Sequence, residues 1–147
     1  MRLFGLILTL VLAGSIAAVA KAHDGPGSPS PRSGQLHVTK ECSEFTGQAD
    51  SFCTITSSNL DAIKVGSRVV YLQAVGATSL DSDVVLVVGP GNYALGHVTL
   101  DLATGTGEIT LAGGTGQFTS FHARADVSHL TGPNWAWDGK YRFSQHD

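Results

Sequence analysis

His122, Arg124 and Asp126 stand two residues apart in the run HARAD, so a base, a cation and a carboxylate share one face of a strand and could cooperate in acid–base chemistry. Asp138, Lys140 and Arg142 recur at the same spacing near the C-terminus. Cross-strand ion pairing between the two sets on a wet surface accounts for them more simply, and exposed pairs of this kind contribute little. No catalytic residue is assigned. The glycines of Gly113-Gly114-Thr115-Gly116 raise the question of a phosphate cradle. Neither G-x-G-x-x-G ahead of a helix nor a Lys-Ser/Thr pair after the last glycine is present, so they read as a tight strand-to-strand turn. The histidines lack H-x-H and H-E-x-x-H spacing, Asp81-Ser82-Asp83 offers too few oxygens for calcium, and no G-x-S-x-G elbow occurs. Neither a metal nor a cofactor is expected.

Cys42 and Cys53 are the only cysteines. No ligand pair stands near them to make a metal site, and an exported chain meets an oxidising compartment, so a disulfide is the expectation. Closing that short loop is worth about 3 kcal/mol by chain-entropy reasoning. Export itself is read from Arg2, the uncharged apolar run Leu3 to Ala20 and the small-x-small site Ala20-Lys21-Ala22. Residues 1–22 are expected to be removed as a signal peptide, which leaves a secreted protein, extracellular or periplasmic. Residues 23–34 are rich in Gly, Pro and Ser and read as a flexible lead-in, and residues 35–147 suit one domain. Without Arg2 and Lys21, the nine Lys/Arg become seven against twelve Asp/Glu, a formal charge of −5. No basic cluster exists to neutralise phosphates and no basic amphipathic stretch to hold a membrane surface, so neither is an expected partner.

The elements that must position any site are strands. Alternation and turn residues mark Gln35–Cys42, Ser51–Ser58, Ser67–Val75, Ser82–Val88, Ala94–Leu102, Gly107–Leu111, Gln117–Ser128 and Asn134–Phe143. Eight strands at this spacing point to a barrel or sandwich. Val98, Leu100 and Leu102 share one face, as do Ile109 and Leu111, and Phe121, Ala123, Ala125 and Val127. The last strand gathers Trp135, Trp137, Tyr141 and Phe143 on its apolar side. Val84 to Val88 is apolar on both faces, so its outer face is expected to meet another subunit, another segment or a ligand.

ITLAGGTGQFTSFHA (Ile109–Ala123) resembles the penultimate hairpin of the allene oxide cyclase/dirigent-type barrel. With CTITSSNL, LDLATGTG and the closing WAWDGKYRF, the chain is similar to small exported bacterial allene oxide cyclase barrel-like proteins over most of residues 41–143. The resemblance implies a single closed antiparallel eight-stranded β-barrel, trimeric in many plant relatives, whose cavity holds an apolar guest and uses no cofactor. It carries over no catalytic residue. If the aromatic strand faces inward, Tyr71, Phe121, Trp135, Trp137 and Tyr141 line the lumen as ligand contacts, or simply fill it. Binding of a small apolar molecule is the expected function. An inward polar group beside an open cavity would favour a cofactor-free cyclase or isomerase. A plugged lumen with a sticky face around Val84–Val88 would favour a structural or interaction module, with homo-oligomerisation left open.

Overall fold

The computed structural model describes residues 32–144, so the expected signal peptide and most of the flexible lead-in lie outside the described residues. Eight strands follow one another: β1 (Ser33–Glu41), β2 (Phe52–Ser58), β3 (Arg68–Tyr71), β4 (Ser79–Gly89), β5 (Asn92–Asp101), β6 (Thr106–Gly114), β7 (Phe121–His129) and β8 (Asn134–Phe143). Each pairs antiparallel with the next, and β8 pairs with β1 from Asn134↔Glu41 to Arg142↔Ser33, which closes the expected barrel. Among the described residues no helix is long and apolar enough to cross a membrane.

Alternation sorts inside from outside as the side-chain period of two demands. Val98, Leu100, Ile109, Leu111, Ala125 and Val127 are buried, and Trp137 is fully enclosed. Closure needs strong local coiling, and Gly139 permits some of it: a Cβ there would lie 2.0 Å from the Arg124 carbonyl oxygen of β7. A bulge in β2 serves the same end. Thr39 opposes Ser57 while Lys40 opposes Ile55, so Thr56 is the extra residue and both Thr56 and Ser57 face out.

Several boundaries differ from the sequence reading, each for a local reason. Ser33 and Gly34, expected in the flexible lead-in, are held in β1 by pairing with Arg142 and Tyr141. β3 stops at Tyr71 rather than Val75, because beyond it side chains take over the ladder: the Gln73 amide donates to Ser82 Oγ and the Asp83 amide to Gln73 Oε1. Gln117 and Phe118 do not begin β7. They belong to a 3₁₀ turn, Gly116–Phe118, that drives Phe118 into the barrel end. Gly116 is required there, with φ of 58° and Asn92 Oδ1 only 2.3 Å from where a Cβ would stand. Leu102 lies past the end of β5 and is 40% exposed, so it does not continue the buried face of Val98 and Leu100.

Candidate functional site

Leu36, Val38, Lys40 and Cys42 occupy alternate positions of β1 and its exit, and strict alternation carries Lys40 inward with its apolar neighbours. Lys40 is therefore 4% exposed at one end of the barrel, opposite Trp135 of β8 and Ile55 of β2. Its ammonium donates a hydrogen bond to Tyr71 Oη and lies 5.0 Å from the Tyr71 ring centroid and 5.3 Å from that of Trp137. Among the described residues no carboxylate stands within ion-pair distance of it. A buried, unpaired ammonium is expensive, and burial pulls the Lys40 pKa down from its ordinary 10.5 to about 7. The same burial pushes the Tyr71 phenol well above its ordinary value, so it stays protonated.

Beside this pair lies a cavity of about 80 Å³ lined by Lys40, Tyr71, Phe45, Val98, Val127 and Trp135, with further apolar groups and the sulfur bridge. The bridge is the expected one: Cys42 and Cys53 are joined with Cα atoms 4.3 Å apart, tying the exit of β1 to β2 at the cavity wall. Phe45, in the loop that the bridge closes, packs edge-on against Tyr71 at 5.0 Å. Leu80, Leu100 and Leu102 line both the cavity and a wide, open groove of about 840 Å³ along the rim. The groove is the larger space, but its Asp81 and Asp101 are exposed, whereas the cavity brings buried polar groups to an apolar wall. The Trp137 indole N–H, also buried, has no hydrogen-bond partner among the described residues.

The five aromatic residues expected to line the lumen divide between its two ends. Tyr71 and Trp135 line the cavity, and Trp137 packs beneath Lys40. Phe121 and Tyr141 lie at the other end, where Phe118, Phe121, Tyr141 and Phe143 form a chain of ring contacts with centroids 5.1 to 6.4 Å apart. Lys40 was not singled out in the sequence, although the alternation of Leu36, Val38, Lys40 and Cys42 places it on the apolar face of β1.

The expected ion pairing between β7 and β8 is corrected by the register. Arg124 faces Lys140 and Asp126 faces Asp138, like against like. Arg124 pairs instead with Glu108 of β6 at 2.7 Å, and Asp138 with His37 of β1 at 2.7 Å. On the outer face of the β4–β5 hairpin, His97 stands between Asp81 and Asp83, with Nδ1 2.9 Å from Asp83 and Nε2 against Asp81. Its hydrogen bond to Asp83 leads in raising its pKa. Among the described residues no cluster of His, Cys, Asp and Glu could hold a metal ion. On the outer face of Val84–Val88, the apolar row Phe52, Val70, Val85 and Leu95 runs across four strands, and Leu95 is 51% exposed.

Compared with known protein families, with curated proteins and with solved structures, the chain matches none.

Proposed function

We propose that the protein is an exported barrel that binds a small apolar molecule by its polar end, without a cofactor. The observation that carries this reading is the Lys40–Tyr71 pair set in the wall of an otherwise apolar cavity. A space of about 80 Å³ is smaller than the roughly 150 Å³ that admits benzene, so it suits a guest of about three or four carbons or one end of a longer molecule. A longer tail would pass Leu80, Leu100 and Leu102 into the open groove. The disulfide supports an oxidising, exported location.

Trp135 in the cavity wall makes the binding measurable. Titration with butan-1-ol and longer primary alcohols is expected to give a saturable change in tryptophan fluorescence, abolished by Leu100→Phe, which fills the cavity. A change that never saturates in a protein still folded by circular dichroism would sink this reading and favour the interaction module, with its surface at the Phe52–Leu95 row. A cofactor-free isomerase of the allene oxide cyclase or dirigent type is the second reading. An inward polar pair beside a cavity is what such an enzyme would need.

A further inference from the structure

We propose that Lys40 acts as a nucleophilic amine, capturing the carbonyl of a small apolar aldehyde or ketone as an imine, with the Tyr71 hydroxyl as proton donor to the carbonyl oxygen. The inference rests on the binding reading above and names the substrate class of that site.

The geometry supplies what the chemistry needs. Lys40 lines the cavity, and its nitrogen is held against Tyr71 Oη. Trp135 and Trp137 of β8, Ile55 of β2, Phe45 and the Cys42–Cys53 bridge surround it, and none of these titrates, which leaves Tyr71 as the titratable neighbour among the described residues. An amine desolvated in an apolar pocket keeps its lone pair free near neutral pH, which is one of the standard routes to a nucleophilic lysine. A phenol that remains protonated is the matching acid.

The nitrogen lone pair forms the C–N bond as the C=O π pair moves onto oxygen, which takes the Tyr71 proton. A proton lost from nitrogen restores the phenol and leaves a carbinolamine. Its hydroxyl departs as water with the second amine proton, so an amine and a carbonyl give an imine and one water with no oxidant or reductant. The apolar walls limit the access of water that would reverse the step.

The test treats the full-length, disulfide-intact protein near neutral pH with butanal and sodium cyanoborohydride, which traps an imine as a secondary amine, and maps labelled lysines by mass spectrometry. Lys40 is expected to be alkylated at least about tenfold faster than the exposed Lys64 and Lys140, because burial leaves much of its amine unprotonated near neutral pH and the cavity holds the aldehyde beside it. Its labelling rate should level off not far above pH 7. Labelling of Lys40 no faster than Lys64 would overturn the proposal. Butan-1-ol separates the two claims: saturable binding of the alcohol without preferred labelling removes the imine alone, and the absence of both saturable binding and preferred labelling removes the binding reading as well. Tyr71→Phe should slow trapping about tenfold or more, and an unchanged rate removes Tyr71 from the step.

Discussion

The two ends of the barrel interior are built to opposite rules. At one end Phe118, Phe121, Tyr141 and Phe143 pack through edge-on and tilted ring contacts, and Phe118 and Phe121 are fully buried. At the other, a lysine replaces what packing alone would make a leucine, a cavity stands beside it, and a disulfide holds the loop above. Dense aromatic packing is what a small barrel needs to be stable. A buried amine without a carboxylate partner and a void both work against stability, so the second end is where the fold gives up energy, as functional sites characteristically do.

That contrast can be broken most directly by Phe121→Ala. Removing a fully buried ring from the packed end should lower stability by about 4 kcal/mol in urea unfolding, and a loss below about 1 kcal/mol would mean that this end is not close-packed. Next in size is Cys42→Ala with Cys53→Ala. Opening a loop of sequence separation 11 should cost about 3 kcal/mol, which would show that the cavity end depends on its covalent tie.

Lys40→Met sharpens the comparison because its sign is reversed. With the Lys40 pKa at about 7 in the fold against an ordinary 10.5, the unfolded chain binds the extra proton between those values, so wild-type stability should rise with pH across that window. The rise ends where the unfolded Tyr71 begins to ionise, near its ordinary value of 10.0, because the folded phenol holds its proton. The methionine variant should be more stable than wild type by about 2 kcal/mol at about pH 6, the gain shrinking towards pH 10. Equal stabilities at every pH would show that the amine carries no burial cost. His97→Ala, on the outer wall, sets the small end of the scale. Its loss should be about 0.5 kcal/mol below the ordinary histidine pKa and should fade as pH rises through the elevated folded value, as urea midpoints at pH 6 and pH 9 would record.

Much of the barrel was readable in one dimension because alternation is a local property. β8 was read to the residue, since Gly132 and Pro133 set its start and the aromatic face repeats every second position. Turns that borrow side chains for their hydrogen bonds, as Gln73 and Ser82 do after β3, carry no such signature, and that strand was read four residues too far at its C-terminal end. The candidate site was less legible for two physical reasons. A lysine among Leu36, Val38 and Cys42 looks like an outward residue until the phase of the strand is trusted over the charge. The contact of Lys40 with Tyr71, and the sharing of His97 between Asp81 and Asp83, depend on inter-strand register, which sequence periodicity alone does not fix.

The seam between β8 and β1 joins the last of the eight described strands to be synthesised with the first of them. Until Asn134–Phe143 leaves the ribosome, β1 and β7 each have one side of their backbone without a strand to pair with, and the sheet cannot close. The nascent chain thus carries two open templates for pairing with other chains, and it loses both in a single late event.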